Sequence, residues 1–136
     1  MSLTKGTIPQ RLAETLVIDT VLDSSSPVND AFDGFTLGNR IFSLKLDNSA
    51  INAVTYFKGQ LASASQYDTT TAPDLKFYVP ANSILEVVYP SGWPANSLTG
   101  TDKFHFLGTS TADGTGAQAD PTGGSFKVTV LAGTAT

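Results

Sequence analysis

Apolar residues in this chain recur at every second position over short runs, and the runs stop at Gly, Pro, Asn, Asp or Ser. That period belongs to a half-buried β-strand, whose successive side chains point to opposite faces. ETLVIDTVLD (14–23) places Leu16, Ile18 and Thr20 on one face and Val17 and Val21 on the other. RIFSLKL (40–46) sets Phe42, Leu44 and Leu46 against Ser43 and Lys45. AINAVTYFKG (50–59) follows Asp47-Asn48-Ser49, a turn sequence between two strands.

The second half continues the pattern. DLKFYVP (74–80) sets Leu75, Phe77 and Val79 against Lys76 and Tyr78. After Pro80-Ala81-Asn82, SILEVVYP (83–90) sets Leu85, Val87 and Tyr89 against Glu86 and Val88. KFHFLG (103–108) turns Phe104 and Phe106 inward and His105 outward, and SFKVTVLAG (125–133) turns Phe126, Val128 and Val130 inward. About seven such strands, each with one apolar face, predict an all-β fold: an antiparallel two-sheet β-sandwich whose inner faces stack. A jelly-roll order is one of the arrangements open to it. Helical periodicity is broken throughout by 12 Gly and 7 Pro.

Residues 1–13 read as an extended N-terminal arm and 14–136 as one sandwich domain. Residues 23–33, 62–73 and 108–124 read as loops, the last long, glycine-rich and flexible. The 136 residues suffice for one core. With no cysteine, stability comes from that core or from partners, and disulfides, Cys-ligated zinc and a cysteine nucleophile are excluded. Net charge is −4, and the eight Lys and Arg are scattered, which leaves no basic footprint for nucleic acid. No apolar run is long enough for a signal peptide or a membrane span, so no membrane partner is expected.

Candidate chemistry is thin. His105 stands alone as the one histidine, Glu14 and Glu86 lie on different strands, and most Asp residues sit in turns where they cap backbone. DGTGAQAD (113–120) lacks the ligand spacing of a calcium loop. No enzyme, cofactor or metal is expected. Trp93, between Gly92 and Pro94 in a turn, has three readings: a plug over the end of the sandwich, an anchor in a partner's pocket, or a platform for a sugar ring together with Tyr89 or Tyr67.

From about Phe42 to Leu131 the order of features resembles small β-sandwich proteins that decorate or cement the heads of tailed bacteriophages. The resemblance is carried by the Asn48-Ser49 turn, the strand AVTYFKG, the loop and strand TTTAPDLKFYVP and the Pro80-Ala81 turn. A strand closing on Pro90-Ser91-Gly92, the polar segment Thr109 to Asp113 and a last Val-x-Val strand complete it. Trp93, Pro94 and a polar run stand where that family commonly has an apolar strand. The resemblance implies a non-enzymatic virion protein outside the major capsid shell, made in the host bacterial cytoplasm and binding the major capsid protein and itself as a homotrimer. The arm and the 108–124 loop are the expected contacts, with Thr4, Ile8, Arg11, Trp93, Asp113 and Gln118 as candidate contact residues. The rival readings are a tail or fibre module of a virion and a carbohydrate-binding surface module.

Overall fold

The computed structural model describes residues 12–24, 39–62, 67–94 and 103–135, which form seven strands and, among these residues, no helix. The strands are β1 (Leu12–Leu22), β2 (Asn39–Asp47), β3 (Thr55–Ala62), β4 (Leu75–Val79), β5 (Ile84–Trp93), β6 (Lys103–Thr109) and β7 (Phe126–Ala135). One sheet runs β1-β7-β2-β5 and the other β4-β3-β6, with every pairing antiparallel. The all-β sandwich expected from the two-residue period is the fold. First and last strands are neighbours and the chain wraps between sheets, which is the nested order of a jelly roll. Of the expected arm, residues 1–11 lie outside the described residues, while Leu12 and Ala13 already belong to β1, with Leu12 paired to Ala135.

The inner faces are those the alternation marks. Leu44, Leu46, Phe57, Val79, Phe106, Phe126, Val128 and Val130 are fully buried in one cluster with Leu75 and Phe104. Each such side chain contributes roughly 1.5–3 kcal/mol by leaving water. Aromatic rings run through this core from edge to edge. Tyr89 meets Trp93 at 6.5 Å, Trp93 meets Phe104 at 5.6 Å, and Phe104 stacks on Phe106 at 6.0 Å. Phe106 stacks on Phe57 at 5.2 Å and Phe57 on Phe77 at 6.1 Å, all within the range for favourable ring pairs. The sheets approach closely at Gly108, where a Cβ would lie 2.6 Å from Phe126 Cδ2 and 3.0 Å from Leu22 Cβ.

Four expectations need correction. Phe42 does not share a face with Leu44, because β2 carries a bulge between Ile41 and Ser43. The extra residue moves Ile41 into the core beside Ala132, and Phe42 is left outside that cluster. The same irregularity extends β5 through Pro90 to Trp93, so Trp93 pairs with Ile41 at a strand end rather than sitting in a turn. Gly92, at φ 84°, makes this path available, since a Cβ there would stand 2.7 Å from Arg40 Cδ.

The third correction concerns Asp47-Asn48-Ser49, which does not close a hairpin. β2 and β3 belong to different sheets, so this segment carries the chain across the sandwich. Asn48 makes the crossing. It is fully buried, and its Nδ2 donates to the carbonyls of Ala53 (2.9 Å), Pro80 (3.0 Å) and Val79 (3.3 Å). Its Oδ1 accepts from Thr55 Oγ1 at 2.6 Å, and its amide donates to Ser83 O at 2.9 Å. The fourth is His105, which points away from the core as expected but is fully buried.

Candidate partner-contact site

The outer face of the smaller sheet explains that burial. On β3 it presents Tyr56, Lys58 and Gln60, which stand in register with Thr109, Leu107 and His105 on β6. Lys58, Gln60, His105, Leu107 and Thr109 are all buried, although alternation gives them a face that would ordinarily meet water. Polar loops lie over this face. Gln60 Nε2 donates to Asp68 O (2.6 Å) and Thr71 O (3.0 Å), and its Oε1 accepts from Asp68 N (2.8 Å). One glutamine thus ties residues 68–71 to the sheet, and Asp68 closes the turn by accepting from Thr70 and Thr71.

Lys58 does the same for residues 111–118. Its Nζ donates to Thr111 O at 2.8 Å, to Gln118 Oε1 at 2.6 Å and to Asp113 O. Lys76, its cross-strand neighbour on β4, donates to Ala112 O and lies 5.7 Å from the centre of the Tyr56 ring. Desolvation holds the Lys58 ammonium below the ordinary lysine pKa; Lys76 adds to this and Asp113 opposes it. At the base of the loop, Ser110 N donates to Ala119 O and Ala119 N to Thr111 Oγ1, both at 2.9 Å. Gly116 N donates to Thr69 O at 2.8 Å, so the two loops are joined. The expected free, glycine-rich loop is therefore fastened along its length, because its small side chains let its carbonyls lie close to the sheet.

The candidate contact residues separate into three groups. Thr4, Ile8 and Arg11 lie outside the described residues. Asp113 and Gln118 come together around Lys58: Gln118 spends its side-chain oxygen there, while Asp113 gives its carbonyl and leaves its side chain exposed. Trp93, the last residue of β5, is half-buried against the core, with Tyr89 and Phe104 as ring neighbours. That is the position of a plug at the end of the sandwich. Tyr67, named with it as a sugar platform, is buried, and its hydroxyl has no hydrogen-bond partner among the described residues. Burial pushes its pKa up to about 12, with Asp74 and Asp68 adding to the rise.

The exposed apolar residues lie elsewhere. Val21, Ile84 and Val88 stand on the outer face of the four-stranded sheet, and Tyr78 on β4 is 56% exposed. Between β2 and β5 that face has a shallow depression of about 240 Å³ lined by Ser43, Lys45, Glu86, Val88 and Thr129. No group of three or more His, Asp or Glu side chains among the described residues is placed to hold a metal ion.

Sequence reasoning missed Lys58, Gln60 and Asn48. Lys58 and Gln60 alternate with Phe57 and Gly59 as any solvated strand face would. The only signal for their burial is the pair of long loops of small residues, 62–73 and 108–124, which are able to lie flat on a sheet. No protein-family model matches this chain, and neither a curated protein nor a solved structure is significantly similar to it.

Proposed function

We propose that this chain is a non-enzymatic virion structural protein, a capsid decoration protein that binds the outside of the major capsid shell and stabilises it. The observation that supports this best is the strand order, β1-β7-β2-β5 over β4-β3-β6. Jelly rolls of this kind recur among viral capsid domains, and the order of turns and strands between Phe42 and Leu131 resembles phage-head decoration proteins. Fold alone does not carry function; the surface adds to the reading. The buried polar side chains Gln60, Lys58 and Asn48 are taken up in fastening loops and crossings.

The partners in this reading are the major capsid protein and further copies of the chain, as a homotrimer on the capsid exterior. A protein that binds only the assembled shell stabilises it by mass action, and several linked contacts around a symmetry axis multiply the effect. Light scattering of the purified chain, with and without purified capsid shells, tests it. A trimer that co-sediments with shells at fixed stoichiometry is expected; a monomer that leaves shells unbound would overturn the proposal.

A further inference from the structure

Lys58 is a buried lysine on the outer face of a sheet, and oxygens from one short loop converge on its Nζ: Thr111 O, Asp113 O and Gln118 Oε1. The intervening carbonyl, Ala112 O, is held by Lys76. Three consecutive peptide carbonyls thus turn inward onto cations, while Asp113, Thr115, Gly116 and Ala117 face solvent. An array of carbonyl oxygens closed by a side-chain amide oxygen is the donor set that loops offer to a hard cation. Here the cation belongs to the chain. Gly116, at φ 92°, makes the reversal that brings Gln118 back to the same ammonium.

We infer that Lys58 is an internal cation that templates residues 111–118, holding them as a rigid surface for contact with the major capsid shell. The contact role rests on the decoration reading above; the clamp itself does not. Hydrogen bonds to a charged donor are stronger than neutral ones, and three of them here share one atom. Without the ammonium, those carbonyls regain hydrogen bonds only by turning out to water, which undoes the loop. The base of the loop has its own fastening, Ser110 to Ala119 and Ala119 to Thr111, and is independent of Lys58. Loss of the clamp therefore frees the tip while the strands stay paired.

The test is amide hydrogen exchange on the full chain carrying Lys58→Met, which keeps an unbranched apolar stem one atom shorter and removes the ammonium. The Gly116 amide, bonded to Thr69 O, is expected to exchange at least about tenfold faster, as loss of a charged hydrogen bond implies. The amides of Phe57 and Phe106 in the core strands should stay as protected as in the parent. Unchanged protection at Gly116 would overturn the clamp. If Lys58→Met does not fold, the polar but uncharged Lys58→Gln decides, because it leaves the bond from Gln118 Nε2 to Gly116 O in place: faster exchange at Gly116 supports the clamp, and parental exchange overturns it. Shell binding is read separately. A clamp that behaves as expected in a chain that ignores shells counts against the decoration reading alone.

Discussion

Thr55 Oγ1 donates to Asn48 Oδ1 over 2.6 Å, and this buried bond spans the crossing from β2 to β3. On its other side, Asn48 Nδ2 reaches the carbonyls of Val79 and Pro80, at the end of β4. Just beyond, Asn82, at φ 55°, donates its amide to Ile51 O at 2.8 Å. The crossing from β2 to β3 and the crossing from β4 to β5 are therefore one structure. Asn48→Ala leaves the Thr55 hydroxyl and up to three carbonyls without partners in a site closed to water. A loss of about 3 kcal/mol in urea unfolding is expected. A cost under about 1 kcal/mol would mean that water replaces the side chain.

Gly108 is the second position where a small change should be felt. Its Cβ position is 2.6 Å from Phe126 Cδ2 and 3.1 Å from Leu22 O, so Gly108→Ala forces a core ring or β1 to move. Overpacking of this kind costs about 1–3 kcal/mol. Thermal unfolding of the variant checks it, with Val88→Ser as a control on the exposed face, where about 0.5 kcal/mol or less is expected.

The two-residue period made the strands and most of the core legible, for a physical reason. Val128, Leu44 and Phe106 each oppose another apolar residue across the sandwich, so alternation and burial coincide. It failed at Phe42, where a bulge uncouples position from face, and bulges have no signature in composition. Pairing was not legible either, because Asp47-Asn48-Ser49 has the same turn chemistry whether it closes a hairpin or crosses between sheets. The fastening around Lys58 escaped for a third reason. Alternation says that Lys58 leaves the core, and nothing local says that a loop more than 50 residues away covers it.

Acid should loosen the loop fastenings before the core. Asp120 accepts from Ser24 N at 3.0 Å and Ser24 Oγ at 2.5 Å, and these bonds lower its pKa. Asp68 is lowered by Thr70 and Thr71, and Asp47 by Ser49. A carboxyl whose folded pKa lies below its unfolded value contributes stability above the unfolded value and loses it as pH falls through the folded one. The urea midpoint should therefore be flat from pH 7 to about 5 and decline below about pH 4. In Asp120→Asn the decline should be shallower and the neutral-pH midpoint slightly lower. An unchanged acid limb would mean that the Ser24 contact has no thermodynamic weight.

Trp93 separates stability from binding. Its ring bridges Tyr89 and Phe104 at the end of the sandwich, so Trp93→Ala should cost about 2–3 kcal/mol, below the range for a fully buried Trp because one side is open. Trp93→Phe retains the ring contact with Phe104 and should recover about half of that. If Trp93 is a plug alone, both variants bind shells as the parent does at temperatures where they are folded. Lost binding in a folded Trp93→Phe would instead make it a contact residue.

Asp113 allows the converse test, because its two ends do different things. Its carbonyl faces Lys58, while its carboxylate is exposed and makes no hydrogen bond among the described residues. Asp113→Ala keeps the backbone acceptor, so unfolding should shift by about 0.5 kcal/mol or less. If the 108–124 loop meets the capsid, the same change removes a charge from the interface and should lower shell occupancy by about tenfold or more, with a weaker dependence on salt. Deleting residues 2–11, which stops short of β1, applies the same logic to the arm. Occupancy that survives the deletion but not Asp113→Ala assigns the contact to the loop, and the reverse assigns it to the arm. Parental occupancy in both leaves the exposed face carrying Val21, Ile84 and Val88 as the surface to mutate next.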